Sequence, residues 1–315
     1  MARGPLYDSG TKPYTPQFSG HETFPLRYGW LKKAFDAVAK TEDIPNIKSV
    51  FLDDNAIAQL GVGKNMVASM RHWAAAVGFI NKNGTQTTEL GKLLLGSNGL
   101  DPYLEYPSTL WLIHWHLCGH PEKTTWFWVF NYFYGESFER DHLVSGLEKL
   151  ANDRSWKNVA IATIRRDVEC FVRTYAAKAP TAKTVYEDAL ECPLAELGLI
   201  KPIGKRDGFR LVRGAKSSLG KGVFLYALLD FWESFSPNTN TLSFEAIAHE
   251  PGSPGRVFLL NENDLFDYLI EINEHTDERY KWSETAGLKQ VMRHKKPELN
   301  ESYTYLKSDY PEQRI

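Results

Sequence analysis

The chain has 315 residues, of which 43% are hydrophobic and 24% are charged, so it can bury substantial cores and should form two or three domains. Its formal charge of -2 excludes a globally basic nucleic-acid-binding protein, so any such binding would depend on local patches. Three cysteines without CxxC spacing exclude a disulfide framework. Neither a secretory signal nor an uncharged run of membrane-spanning length is found, which predicts a cytoplasmic protein with no membrane partner.

The first dense group of polar residues follows a proline-dotted arm and runs from Phe18 to Arg27. His21 and Glu22 lie there between aromatic residues, and with Arg27 they could bind a metal ion or a phosphate. The alternative is a domain-entry turn in which the aromatic residues are anchors and the charges form hydrogen bonds. A helix is expected to follow, ending at about Lys40.

The stretch from Asp53 to Leu95 has the pattern of a winged helix-turn-helix. A short helix would end at Gly61, and apolar residues three and four apart predict a second helix from Lys64. Asn83-Gly84 is typical of the tight hairpin of a wing. A helical hairpin that only packs, or one that contacts a protein, is the alternative. If the second helix enters a major groove, the side chains predicted to contact DNA are Lys64, Asn65, Ser69, Arg71 and His72.

Two very aromatic segments, 108–118 and 122–134, predict buried helices in the middle of the chain. Three histidines and one cysteine between His114 and His120 have the residue types of a zinc site. On a helix, however, His114 and Cys118 would share one face while the other two histidines would point elsewhere. Four ligands could not converge, so a buried core is the preferred interpretation.

Two later segments are locally basic. A helix expected from Ser155 to Ala176 is rich in arginine, whose guanidinium group forks onto phosphate oxygens. Between Lys201 and Gly222, seven basic residues accompany one acidic residue in an expected hairpin, as in a second wing. A solvated helix face and a plain exposed hairpin are the alternatives. The side chains predicted to contact nucleic acid are Arg165, Arg166, Lys205, Arg206 and Arg210.

Together, these elements predict a mainly α protein with small β wings, in which winged helix-turn-helix modules surround a helical middle domain. The arm and the winged helix-turn-helix domain would occupy residues 1–98, and the helical middle domain residues 99–192. A C-terminal α+β domain with the basic hairpin, similar to a winged helix, would occupy residues 193–315.

Several stretches resemble the SspB-like family of bacterial single-stranded DNA phosphorothioation systems, formerly a domain of unknown function. They are FSGHETFPLR at 18–27, LGVGKNMV at 60–67, RHW at 71–73, RDV at 166–168, PLAELGLI at 193–200 and SPGRVF at 253–258. The resemblance implies a DNA-nicking component of an anti-phage defence system that places sulfur in the DNA backbone. It also implies magnesium as the metal and a cysteine desulfurase, an ATP pyrophosphatase and an ATPase as partners.

A magnesium-dependent nuclease needs two or more carboxylates to hold the cation, and a base or a cation near the leaving oxygen. The catalytic candidates are His21, Glu22 and Asp167, and the candidate metal ligands are Glu22, Asp167 and Glu169. None has the spacing of a PD-(D/E)xK or HNH nuclease, and Asp167 could instead pair with Arg165 or Arg166. The alternative functions are a non-catalytic winged-helix DNA-binding adaptor or transcription regulator, and an interaction scaffold. By analogy with winged helices that read paired half-sites, a homodimer is expected.

Overall fold

The computed structural model describes residues 4–7, 14–46, 48–176, 192–204, 207–285, 287–298 and 300–311. Within them the chain is mainly helical and contains two small three-stranded antiparallel sheets, which confirms the predicted mainly α class with small β elements. None of the helices in these ranges combines the length and the apolar character needed to span a bilayer.

The N-terminal part has four helices: α1 (Trp30–Ala39), α2 (Ala56–Leu60), α3 (Lys64–Ala76) and α4 (Glu89–Leu95), with a 3-10 turn at Val50–Leu52. Gly61 ends α2 with a left-handed backbone (φ 66°), a conformation that glycine adopts without strain. Helix α3 packs against both α1 and α2. The first two elements of the predicted helix-turn-helix are therefore in place.

The hairpin after α3 is shorter than the predicted wing. Instead of two strands, Ile80 and Thr87 form one isolated antiparallel bridge. The side chain of Asn81 accepts hydrogen bonds from the backbone N–H groups of Thr85 and Gln86, at 2.9 and 3.3 Å. The amide side chain thus satisfies backbone donors that a longer strand pair would have used.

The middle of the chain contains helices α5 (Pro107–Cys118), α6 (Thr124–Tyr132), α7 (Arg140–Asp153) and α8 (Ile161–Tyr175). Trp126 of α6 contacts Trp73 of α3 on one side and Phe171 of α8 on the other, at ring-centroid distances of 5.7 and 5.5 Å. All three rings are buried. The core is consequently continuous from α3 through α6 to α8, which fixes the N-terminal helices against the middle ones.

Two sheets accompany the helices. The first contains β1 (Ser137–Glu139), β2 (Ile200–Ile203) and β3 (Gly208–Leu211) in the order β1-β3-β2, so the predicted basic hairpin pairs with a strand from between α6 and α7. The second contains β4 (Thr241–Ser243), β5 (Tyr280–Thr285) and β6 (Leu288–Arg293) in the order β4-β6-β5. The remaining helices are α9 (Lys221–Phe235), α10 (Phe244–His249), α11 (Pro254–Val257), α12 (Glu262–Ile270), α13 (Ile272–His275) and α14 (Glu301–Lys307).

Helix α9 lies between α5 and α14, and a glycine permits its close approach to α14. A Cβ atom at Gly222 would lie 2.4 Å from the backbone oxygen of Tyr305. The carboxylate of Asp309 also accepts hydrogen bonds from the backbone N–H groups of Gly222 and Val223, each at 2.8 Å. These contacts attach the C-terminal helix to the first turn of α9.

Candidate functional site

The loop that carries His21 is held against helix α8. His21 Nε2 lies 2.8 Å from Asp167 Oδ1, and the backbone N–H of Thr23 donates to His21 Nδ1 over 3.0 Å. Since Nδ1 is an acceptor, the ring proton is on Nε2, and His21 donates to Asp167. The Thr125 hydroxyl donates to the other carboxylate oxygen. Two of the three predicted catalytic residues are therefore together, but both are buried and already hydrogen-bonded.

The three carboxylates predicted as metal ligands have different environments. Both oxygens of Asp167 accept hydrogen bonds from the protein, Glu169 pairs with Arg140, and Glu22 is exposed in the loop. In the part of the chain that the structure describes, no group of three or more His, Cys, Asp or Glu side chains could hold a metal ion. Since magnesium prefers several oxygen ligands around one position, this arrangement does not fit a magnesium site.

Helix α3 exposes part of the predicted DNA-binding face. Lys64 and Asn65 are exposed in its first turn, which follows Gly63 and has no side-chain cap. Arg71 is half-buried, and its Nη2 donates over 3.4 Å to the carbonyl of Lys82 in the hairpin. The helix start is thus open to a ligand, and the arginine connects the helix to the hairpin.

Two other predicted contact residues of α3 point inward. Ser69 is fully buried, so the prediction that it lies on the outer face is wrong. The buried stripe includes Val67 rather than Met66, and this shift by one position rotates Ser69 into the core. The ring of His72 lies 5.9 Å from that of His21, on the inner side of the helix.

The exposed arginines of α8 have partners, one on a neighbouring helix and one within α8 itself. Arg165 lies 3.5 Å from the carboxylate of Asp141, and Arg166 donates from Nε to the carbonyl of Ala162. The alternative in which Asp167 pairs with one of these arginines is not observed among the described residues, where His21 and Thr125 donate to its carboxylate. Arg210 is exposed on β3. Two predicted contact residues lie outside the described residues: Lys205 and Arg206.

A cavity of about 600 Å³ opens between α3 and the helices of the middle segment. Three cationic side chains line it, Arg71, Lys82 and Lys123, together with the carboxylate of Glu122. Its lining also includes three histidines, His72, His116 and His120. The wall of α3 is otherwise apolar and made of small side chains, Ala68, Ala75 and Ala76.

The histidines of the cavity differ in protonation. Burial lowers the pKa of His72 well below its usual value, and the positive charge of Lys123 adds to this effect. Burial also lowers the pKa of His116, to about 4. Burial alone would lower the pKa of His120 too, but a 2.8 Å hydrogen bond to the Asp230 carboxylate produces a net increase. At neutral pH the first two rings are therefore neutral, while the third is the one favoured to keep its proton.

The histidine and cysteine cluster considered for zinc divides between the core and the cavity. His114 is fully buried, with Nδ1 2.8 Å from the Tyr175 hydroxyl, and Cys118 Sγ lies 3.3 Å from the same hydroxyl. His116 and His120 lie on the other side and face the cavity. The predicted division into two faces is confirmed. We did not predict from the sequence that His116 and His120 line a cavity together. Their spacing of four residues was the signal that could have placed them side by side.

Comparisons with known proteins identify similar chains. A family model described as "Protein of unknown function (DUF4007)" matches residues 18–310. The solved structure "Magnesium ion-bound SspB crystal structure" is 30% identical and has a TM-score of 0.80, over 93% of this chain and 88% of that chain. The structure "SspB crystal structure" is 29% identical, with the same coverage and TM-score. No curated protein matches the chain.

Proposed function

The chain belongs to the SspB-like family, whose model is described as DUF4007, and from this premise we propose that it is a DNA-binding, DNA-nicking component of a phosphorothioation system. The motifs that resemble the family support the assignment to such a system. There the chain would act with a cysteine desulfurase, an ATP pyrophosphatase and an ATPase. The bound magnesium of one SspB structure is the reason to test magnesium dependence.

The exposed start of helix α3 is the observation that carries the DNA-binding part of the proposal. Lys64 and Asn65 are exposed there, and the first backbone N–H groups have no side-chain cap at Gly63. Free N–H groups and the positive end of the helix dipole attract phosphate. Arg71 lies further along the same helix and lines the cationic cavity. This surface supports contact with a DNA backbone.

The nicking part of the proposal rests on the family relation and not on a catalytic constellation. His21 and Asp167 hydrogen-bond to each other in the interior, and the described carboxylates do not fit a magnesium site. In this arrangement His21 positions the loop and does not reach a phosphodiester. The same observation favours a second candidate function, a non-catalytic DNA-binding adaptor or transcription regulator.

Supercoiled plasmid should separate the two functions. With magnesium, we expect the purified protein to convert supercoiled plasmid to the open-circular form, because a break in one strand releases the supercoiling. With EDTA the plasmid should remain supercoiled. Agarose gels measure both products, and the retardation of plasmid on the same gels reports binding. Retardation without open-circular product in magnesium would contradict nicking and leave the adaptor function.

The salt dependence of binding should identify the DNA-binding face. Replacing Lys64 with Gln should reduce the slope of log K against log[salt] by about 0.9, because one phosphate contact is lost. Fluorescence anisotropy with a labelled duplex gives this slope. Lys149→Gln is the matched control, since Lys149 is exposed on α7 and pairs with Asp153. An unchanged slope for Lys64→Gln would show that the start of α3 does not contact DNA.

The same measurement tests helix α8. Replacing both Arg165 and Arg166 with Ala should also reduce the slope if these side chains contact phosphates.

A further inference from the structure

A buried lysine that has no ion-pair partner among the described residues lines the cavity beside α3. Lys123 is only 8% exposed, and its ammonium donates to the neutral amide oxygen of Gln17 over 3.1 Å. It forms no ion pair with any residue in the described ranges. Burial lowers the pKa of Lys123 to about 8, although Asp167 and Glu122 act in the opposite direction. A buried cation is costly unless an anion compensates it, so this position favours an anionic ligand.

Two more cations border the same space. Arg71 extends from α3, and Lys82 extends from the hairpin, so the cations approach the cavity from three separate elements. Glu122, the acidic lining residue, is exposed, and its carboxylate lies 3.9 Å from the ammonium of Lys82. The side chains of Lys123 and Arg71 remain without a carboxylate partner among the described residues. The cavity therefore has an excess of positive charge that matches a phosphate group.

The other walls suit a base better than a second phosphate. Leu52 is 69% exposed at the cavity rim, and Phe51 lies next to it. The neutral rings of His72 and His116 offer hydrogen-bonding groups, and His72 has no hydrogen-bond partner in the described part of the chain. A volume of about 600 Å³ is in the range of pockets for small ligands. The apolar surface suits the face of a base, the neutral polar rings suit its edge, and the clustered cations suit the phosphate of a nucleotide.

We propose that this cavity binds a single nucleotide, with its phosphate at Lys123 and Arg71 and its base against the wall formed by Phe51 and Leu52. The nucleotide is either free or part of a DNA strand, because both present the same phosphate and base. The proposal goes beyond the proposed function, since it requires neither strand cleavage nor duplex contact by the start of α3.

The test uses the full chain and isothermal titration calorimetry with deoxyguanosine 5′-monophosphate. Deoxyguanosine and inorganic phosphate are titrated separately, and each should bind more weakly than the whole nucleotide. Lys123→Gln should weaken nucleotide binding about tenfold, because a charge-assisted hydrogen bond is replaced by a neutral one. Arg71→Gln should have a similar effect and alters a half-buried side chain, so it is less prone to disturb folding. Lys149→Gln, on the exposed face of α7, should bind like the unaltered protein.

A short single-stranded oligonucleotide distinguishes the two sources of the nucleotide. If only the oligonucleotide binds, and Lys123→Gln weakens it, the ligand is a strand nucleotide and the proposal holds. If the free monophosphate binds in a Lys123-dependent manner, the ligand is a free nucleotide and the proposal also holds. Binding of neither probe, or binding unaffected by both Lys123→Gln and Arg71→Gln in folded protein, overturns it. Duplex affinity is measured in parallel for Lys123→Gln and for Lys64→Gln, which lies outside the cavity, so failure of the cavity proposal is distinguishable from failure of DNA binding by α3.

Discussion

Replacing Asp167 with Ala should lower the free energy of unfolding by about 3 kcal/mol, because it leaves two buried donors without an acceptor. His21 Nε2–H and the Thr125 hydroxyl both donate to this carboxylate, and Asp167 itself is 1% exposed. Urea denaturation followed by tryptophan fluorescence gives the free energy. The conformation of the loop should also change, because His21 would no longer be attached to α8.

A neighbouring carboxylate on the same helix supplies the control. Glu169 is exposed and pairs with Arg140 at the surface, so Glu169→Ala should change the free energy of unfolding by less than about 1 kcal/mol. Combining His21→Ala with Asp167→Ala should cost less than the sum of the single changes, because the two side chains share one hydrogen bond. Equal effects of the two carboxylate replacements would contradict a special role for the buried pair.

Replacing Arg293 with Ala should destabilise the C-terminal part by about 3–5 kcal/mol, since this arginine is a buried, fully engaged cation. It is 3% exposed and donates to the carbonyls of Pro237 and Thr239, at 2.8 and 3.1 Å. Its guanidinium also pairs with Glu233 and lies 4.6 Å from the ring centroid of Trp232. Thermal unfolding by circular dichroism should show a lower Tm.

The shape of the guanidinium, and not only its charge, should matter at this position. Arg293→Lys keeps the positive charge but cannot reach both carbonyls and the carboxylate, so an intermediate loss of stability is expected. Lys296→Ala is the matched control, because Lys296 is exposed and donates a surface hydrogen bond to the side chain of Asn238. Its effect should stay within about 0.5 kcal/mol. An Arg293→Lys variant as stable as the original chain would show that charge alone suffices.

In the stretch predicted as a helix-turn-helix, local sequence signals gave part of the structure correctly. The glycine at position 61 and the spacing of apolar residues sufficed to place α2 and α3, because both signals act within a few residues. The orientation of Ser69 was wrong, because Met66 and Val67 are adjacent and both apolar, so the sequence alone does not show which one begins the buried stripe. The predicted wing strands were longer than the single bridge at Ile80 and Thr87, because the side chain of Asn81 replaces part of the backbone pairing.

The candidate site depends on contacts that no local pattern reports. His21 and Asp167 are 146 positions apart, so the sequence could nominate both as reactive groups but could not pair them. Lys123 lies in the loop between α5 and α6, and its local sequence gives no sign that it is buried. Its burial results from the packing of residues that are distant in the sequence. Arg293 is similar, since two of its partners are backbone carbonyls, which every residue possesses. The sequence therefore shows which residues have reactive or charged side chains. Their burial and their hydrogen-bond partners are known only from the folded structure.

The insertion of β1 beside the basic hairpin also constrains how the chain acquires its structure. Ser137 pairs with Arg210, so the sheet closes only after a long intervening segment has been synthesised and has found its place. The entropy lost on closing such a loop slows the step relative to the local contacts of α1 to α4. During synthesis, the N-terminal helices can therefore assemble first. The basic hairpin, which needs β1 as its third strand, can complete its sheet only after that.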